Sequence, residues 1–314
     1  MKYSHPIIIF NPHSGKGIPL PGPVRHLFGL RRRTTEKVEK PEQLIELIRN
    51  NLRTYEIDAE ILEINKNLNI SELTRQSIDD GADLIIAAGG DGTINAVVNG
   101  MVNSSVPLGI IPLGTSNVFS IQFNIPSEIS TACEKIARGE VRTIDLGKAG
   151  NRYFCCLAGI GLDAYVTKKA DSGLKHFLGA LSYVYEGITS LFRYHFRPIE
   201  LIIDNKRNFH CGYIALIGNA KYYGGNLILW PDADPQDGLL DIVIFKKKSL
   251  PYILKSFAAI RRGRLPVSSD IEYFKGKLFD FSGKGQHDVH VDGEYIGTTP
   301  ITISVQQASL KIIA

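Results

Sequence analysis

Cysteine is scarce in this sequence, and the four present (Cys133, Cys155, Cys156 and Cys211) form no C-x-x-C pair and no cluster with histidine. That spacing excludes a disulfide framework and a zinc-ribbon type of thiolate site. Buried free thiols remain, since Cys155 and Cys156 lie side by side in an apolar run, and free thiols point to a reducing cytoplasm. Long hydrophobic runs are also missing: nothing approaches the roughly 20 apolar residues that cross a bilayer. Met1–Phe10 carries one lysine and a short apolar stretch before Asn11 and Pro12, too brief for a signal-peptide core. The chain is expected to be soluble and cytoplasmic, or at most peripheral at the inner membrane face. It has no repeat of fixed period and no low-complexity segment. Charge of one sign is lacking too, the net value being +4. Such a mild balance suits contact with polyphosphates or an anionic surface, and no nucleic-acid partner is expected.

What is present is the composition of a folded protein: 44% hydrophobic and 22% charged residues in a chain of 314. At roughly 150 residues per domain, that length predicts two domains. The first part alternates strand and helix. Strands are predicted over Pro6–Phe10, Ile57–Ile64, Ala82–Ala88 and Val106–Pro112; helices are predicted over Pro41–Leu52, Ser71–Asp80 (opened by a serine cap) and Thr93–Val102. Apolar, non-alternating strands separated by helices indicate a parallel sheet covered on both faces, so this half reads as a doubly wound α/β domain. Beyond about residue 140 strand-like runs dominate: Arg142–Lys148, Arg152–Leu157, Pro198–Ile203, Phe209–Gly218, Leu240–Phe245, Ile271–Phe281, Asp288–Val291 and Ile301–Ile313. Turns at Gly150-Asn151 and Asp204-Asn205 separate some of them, and helices are expected over Leu174–Arg193 and Leu250–Arg262. This half reads as an antiparallel β-sandwich. The expected boundaries are 1–130 for the α/β nucleotide-binding domain, with 300–314 joining it, and 131–299 for the sandwich. The active site is expected in the interdomain cleft.

The strongest local signal is Gly89-Gly90-Asp91-Gly92-Thr93, directly after one predicted strand and directly before a helix. Glycines there let the backbone turn sharply and bring amides against phosphate oxygens, and the helix dipole adds positive potential. Asp91 is anomalous among phosphate-binding amides unless a Mg²⁺ ion lies between it and the ligand. An ordinary Gly-rich turn with Asp91 on the surface is the alternative. Two more loops leave the same predicted sheet edge, Asn11-Pro12-His13-Ser14-Gly15-Lys16-Gly17 and Leu113-Gly114-Thr115-Ser116-Asn117, and in a doubly wound sheet all three converge on one crevice. The first is not a Walker loop, because glycine follows Lys16.

Asn-Pro-x-Ser-Gly, Gly-Gly-Asp-Gly-Thr-x-Asn, Pro-Leu-Gly-Thr-x-Asn, Ile-Asp-Leu-Gly, Asn-Ala-x-x-x-Gly-Gly, Asp-Gly-Leu-Leu-Asp and Val-Asp-Gly-Glu occur in this order. In that set, spanning roughly residues 5 to 314, the chain resembles the diacylglycerol kinase catalytic-domain family. The likeness is greatest to the bacterial soluble lipid kinases, relatives of sphingosine and ceramide kinases. The resemblance implies an ATP- and Mg²⁺-dependent kinase that phosphorylates a lipid hydroxyl at a membrane surface, diacylglycerol giving phosphatidic acid. It implies ATP contacts from Asn11, Pro12, His13, Ser14, Gly15, Gly90, Asp91, Gly92, Thr93, Ile94, Asn95, Thr115 and Asn117. Asp91 would organise the catalytic Mg²⁺, and Glu294, with Asp292 beside it, would accept the lipid hydroxyl's proton. Asp234, Asp237 and the backbone of Leu239 would hold a second, structural Mg²⁺. Read without the family, Asp292-Gly293 is a hairpin turn and Asp234-x-x-Asp237 a solvated loop. A homodimer is left open.

Three positions depart from the family pattern: Ala96 and Val118 stand where acidic residues are usual, and Asn65 where a threonine is. They keep a nucleotide- or lipid-binding pseudokinase open as an alternative, and Gly-Gly-Asp-Gly-Thr, shared with NAD kinases, keeps a soluble-substrate kinase open. On the lipid side, the apolar 174–193 stretch reads either as an acyl-chain or membrane-facing helix or as one packed on the sandwich. Arg31-Arg32-Arg33, Lys246-Lys247-Lys248 and Arg261-Arg262-x-Arg264 read as headgroup attractors or as solvated faces.

Overall fold

The structure, a computed structural model, describes residues 2–14, 40–65, 68–171, 193–206, 209–225, 227–262, 269–283 and 285–314. The described residues form two compact units: one runs up to Ile144 and regains Ala308–Ala314, the other lies within Asp145–Gln307.

The first unit is built on parallel strands β1 (Pro6–Phe10), β2 (Glu60–Glu63), β3 (Leu84–Gly89) and β4 (Leu108–Pro112), ordered β2-β1-β3-β4. The chain's last strand, β18 (Ile301–Ile313), sets Ile312 beside Leu108 in parallel. β1, β3 and β4 are buried at every residue, as non-alternating apolar strands must be when both faces are covered. The strand expected over 57–64 shortens to a four-residue, partly exposed β2 at the sheet edge. Helix α1 (Pro41–Arg53) opens on a proline, whose missing N–H costs nothing at a helix start. It lays Ile48 and Leu52 on a core shared with Ile8, Phe10 and Ile86.

Helix α2 (Ile70–Asp79) is capped by Asn69, whose side chain accepts from the Glu72 amide at 3.3 Å. Ser71, expected to be the cap, instead donates to the Ala96 carbonyl of α3 (Asp91–Met101) at 2.8 Å. Two short helices follow, α4 (Val118–Gln122) and α5 (Ile129–Arg138). α5 was not anticipated; it brings Ile129, Cys133 and Ile136 onto the same core as α1. Burial there pushes the Cys133 thiol up to about 12, so it is an inert part of the core.

The second unit is an antiparallel sandwich. One sheet contains β5 (Val141–Ala149), β6 (Arg152–Phe154), β8 (Ile199–Ile203), β9 (Phe209–Gly212), β15 (Leu278–Ser282) and β18. The other has the order β14 (Ile271–Gly276), β13 (Leu240–Phe245), β10 (Ile214–Gly218), β7 (Leu157–Gly161), β16 (Asp288–Val291), β17 (Glu294–Thr298). β11 (Tyr222–Gly224) and β12 (Leu227–Ile228) form a small ribbon. Between the sheets pack Phe154, Leu201, Phe279 and Phe281 from one side, and Ile160, Ile217, Ile242 and Val291 from the other.

Three runs read as single strands are each two. The chain changes sheet between β6 and β7, between β9 and β10, and between β14 and β15, so Ile271–Phe281 serves both layers. Outside the second sheet lie α6 (Leu162–Asp171), which was not anticipated, and α7 (Leu250–Arg261). Leu162 and Ile260 pack there with Trp230, Leu216 and Phe245. The helix expected over Leu174–Arg193 lies outside the described residues except for Arg193, as do Arg31–Arg33 and Arg264. Of the Lys246–Lys248 run, Lys246 pairs with Glu272 and Lys247 with Asp270, so local carboxylates answer most of that charge. Among the described residues no helix is long and apolar enough to cross a membrane.

Candidate active site

In the first unit three loops leave the C-terminal ends of β1, β3 and β4 and are knitted together. Asn11 donates its backbone amide to the Ala88 carbonyl at 2.9 Å and its side-chain amide to Thr93 Oγ1 at 2.8 Å. Its side-chain oxygen accepts from the His13 amide at 2.9 Å, closing the first loop on itself. Ser14 Oγ accepts from the Gly90 amide at 3.2 Å, and the Leu113 amide donates to Gly89 at 2.8 Å. Asn117, at a left-handed φ of 47°, exchanges hydrogen bonds with both backbone groups of Gly114 at 3.0 Å. A Cβ on Gly114 would sit 2.6 Å from the Gly90 Cα, so two glycines are what let these loops touch.

α3 starts at Asp91 with Gly90 as its N-cap, two residues earlier than expected, so Asp91, Gly92 and Thr93 form its first turn. The first-turn amides of a helix have no intrahelical partner and carry its positive end, which is the setting that receives phosphate. Gly92 is exposed with open space where a Cβ would be, and Thr115 is exposed. Pro12 is buried; Ile94 and Asn95 are buried as well, and Asn95 accepts from the Asn99 side chain, so these three shape the loops from within. Gly15 lies outside the described residues. Asp91 is partly exposed, at the first turn of α3, and accepts from the Phe119 amide at 3.4 Å through Oδ1. These residues fit a Mg²⁺-nucleotide.

The second unit contributes the hairpin of β16 and β17. Asp292 and Gly293 form its two-residue turn, both at positive φ (44° and 82°), as Asp-Gly does in the hairpin turns that match strand twist. The Asp292 carboxylate is fully engaged: Oδ2 accepts from Cys155 N at 2.7 Å, and Oδ1 accepts from Cys156 N at 3.0 Å and Leu157 N at 2.9 Å. It therefore holds the turn in place. Glu294 is half-exposed and meets Arg152 Nη2 at 2.5 Å. Arg152 was not singled out from sequence, nor were Asp163, Tyr223 and His290, which form a linked group behind the turn. Asp163 takes the Tyr223 hydroxyl at 2.5 Å on one oxygen and His290 Nε2 at 2.6 Å on the other.

Asp234, Asp237 and Leu239 share one loop, in which three carboxylate oxygens take nearby donors. Asp234 Oδ1 accepts from Gln236 N at 3.1 Å and Asp237 Oδ1 from Leu239 N at 2.9 Å. Lys275 Nζ donates to Asp237 Oδ2 at 3.0 Å and to the Asp232 carbonyl at 2.8 Å, and lies 3.3 Å from Asp241 Oδ2. Burial opposes the Lys275 charge, yet Asp237 and Asp241 hold its pKa above the ordinary value. An ammonium therefore lies beside Asp237, in the loop where a second divalent ion was expected. Among the described residues no three His, Cys, Asp or Glu side chains gather as a metal cluster.

A doubly wound unit presenting glycine loops and a helix N-terminus, followed by an antiparallel sandwich carrying an acidic hairpin, defines a phosphotransferase of the kinase class. Residues 37–149 match the family model described as the diacylglycerol kinase catalytic domain. Residues 157–314 match the YegS C-terminal NAD kinase beta sandwich-like domain. The chain belongs to the diacylglycerol kinase family. It is 32% identical over 311 residues to a diacylglycerol kinase of Staphylococcus aureus (strain Newman), covering 98% of this chain and 91% of that one. It is also 29% identical over 294 residues to the uncharacterized protein sll0036 of Synechocystis, of whose length it spans 66%. A crystal structure of a proposed diacylglycerol kinase from Bacillus anthracis str. Sterne superposes with a TM-score of 0.78 at 25% identity, covering 100% of this chain and 98% of that one.

Proposed function

We propose that the chain transfers the γ-phosphate of ATP to the hydroxyl of a membrane lipid, with diacylglycerol as the first candidate and phosphatidic acid as its product. The observation that carries this is the hydrogen-bonded convergence of Asn11, Ser14, Gly90 and Thr93 around the start of α3, a phosphate cradle with one carboxylate, Asp91, beside it. The amides at the start of α3 bind and orient the phosphates. Asp91 orients a Mg²⁺ ion, which when bound neutralises the charge that grows on the phosphate oxygens. Glu294 Oε2 accepts the hydroxyl proton as the lipid oxygen bonds to phosphorus, while the bond to the bridging oxygen breaks and its electrons leave on ADP. An alcohol is a poor nucleophile at neutral pH, and a placed carboxylate is worth roughly 10² to 10⁴ in rate. The enzyme would work from the cytoplasmic side at the membrane surface.

A second reading, a soluble-substrate kinase, draws on the NAD kinase-like description of the C-terminal match. Purified protein with Mg-ATP, offered diacylglycerol in mixed micelles, NAD, and a panel of other lipids and followed by mass spectrometry, separates the two. Labelled phosphatidic acid is the expected product. Labelled NAD would overturn the lipid reading, and ATP binding with no transfer to any acceptor would mark a pseudokinase.

A further inference from the structure

We infer that Asp163 and His290 are positioning residues for Glu294, acting through the backbone of the Asp292–Glu294 turn; this rests on the reading of Glu294 as the base. His290, at the end of β16, is buried, and its Nδ1 accepts from the Gly293 amide at 3.3 Å. A ring that accepts at Nδ1 in the neutral form carries its proton on Nε2, and Nε2 lies 2.6 Å from Asp163 Oδ2. Asp163 is itself fixed, because its other oxygen takes the Tyr223 hydroxyl. The relay therefore runs from the start of α6 through the ring to the Asp292–Gly293 peptide, one residue before Glu294. In the same turn, Asp292 is tied to the amides of residues 155–157. Two ties thus hold a two-residue turn, one through the Asp292 side chain and one through the Gly293 amide.

Gly159 supports the same reading. It faces His290 across the β7–β16 ladder, and a Cβ there would lie 2.3 Å from His290 Nε2 and 2.5 Å from Asp163 Oδ2. The sheet leaves out a side chain where the pair needs room. A base works only within hydrogen-bond reach of its proton, and a misplacement of about 1 Å costs on the order of 100-fold. A carboxylate on a hairpin turn has little rigidity of its own, so the relay is where that precision resides.

The test compares diacylglycerol turnover in mixed micelles for the wild type, Glu294→Ala, Asp163→Asn, His290→Gln and the Asp163→Asn/Glu294→Ala double variant, with thermal melts of each. Asp163→Asn is expected to lower kcat roughly 10- to 100-fold with the KM for ATP unchanged. His290→Gln, whose amide can accept from Gly293 and donate to Asp163, should lose less rate than Asp163→Asn. In the double variant Asp163→Asn should add nothing to the loss from Glu294→Ala, because misplacing a base that is absent costs nothing. If Glu294→Ala is inactive while Asp163→Asn turns over normally, or if the two losses multiply, the relay is overturned and the base stands. Wild-type turnover by Glu294→Ala overturns the base and the relay with it. Should Asp163→Asn fail to fold, Tyr223→Phe removes a single donor to Asp163 and must show a smaller kcat loss in the same direction; no loss there overturns the proposal.

Discussion

Arg152 and Glu294 pair across the second unit at 2.5 Å, with side chains 43% and 40% exposed. At that exposure an ion pair is worth at most about 1 kcal/mol, so a substrate hydroxyl can displace the guanidinium at little cost. Glu294→Ala should therefore leave the melting temperature nearly unchanged while turnover falls by roughly 10² to 10⁴. ATP binding, followed by calorimetry, should persist. Loss of ATP binding together with turnover would show Glu294 to be part of the nucleotide site instead.

The contact between Gly90 and Gly114 makes a different prediction. A methyl group at residue 114 would meet both the Gly90 Cα and Asn117 Oδ1 at 2.6 Å, and backbone cannot swing aside as a side-chain tip can. Gly114→Ala should push the β3 and β4 loops apart, raising the KM for ATP about tenfold or more and costing on the order of 1–3 kcal/mol in urea unfolding. Gly92→Ala meets nothing within 4 Å and should be far milder in stability. Equal effects would mean that loop contact does not shape the cradle.

The parallel sheet was readable because its signal is local: Ile7–Ile9, Leu84–Ala88 and Leu108–Ile111 are continuous apolar runs with loops of glycine and asparagine at their ends. α5 was readable in principle, with Ile129, Ala132, Cys133 and Ile136 at helical spacing, but its polar remainder masked it. The sheet changes at residues 155–156, 213 and 277 were not readable, because strand propensity is the same in either layer and only packing decides which layer a run joins. In the site, the glycine loops announce themselves by turn chemistry. The Asp163–His290 pair joins residues 127 apart in sequence, and Lys275 reaches Asp237 across 38, so no window contains either signal.

Asp91 separates folding from chemistry. Asp91 accepts from Phe119 N at 3.4 Å, a long hydrogen bond. Asp91→Asn keeps the size and an acceptor oxygen, so the melting temperature without ligand should match the wild type. Mg²⁺-dependent stabilisation by ATP, measured in the same melts, should shrink sharply, and turnover should fall at least 100-fold on the scale of lost electrostatic stabilisation. Retention of the full Mg²⁺-ATP shift would remove Asp91 from the metal site.

Lys275 and Asp237 bear on metal removal. With the ammonium seated among Asp232, Asp237 and Asp241, chelation should leave the unfolding midpoint of the ATP-free protein unchanged. Lys275→Met should lower that midpoint by exposing two carboxylates to each other, and added Mg²⁺ should then restore part of it, since anything that binds only the folded state stabilises it. A wild-type midpoint that drops with chelator would place a divalent ion in the loop alongside the lysine.

Asp163 sets an expectation for pH. Burial works to raise its pKa, but the electrostatic attraction of the His290 ring, then the hydrogen bonds from that ring and from the Tyr223 hydroxyl, outweigh burial and bring it below the ordinary carboxylate value. A carboxylate more acidic folded than unfolded binds fewer protons in the native state. Its stabilisation is fully present above the unfolded value of about 4 and is lost as pH falls through the lower, folded value. Asp163→Asn carries no such charge. The difference in melting temperature between the wild type and this variant should therefore hold steady from about pH 7 to about pH 5 and close as acid is added below about pH 4. A difference that grows on acidification would mean that the folded protein favours the protonated acid, with burial outweighing the donors from Tyr223 and His290.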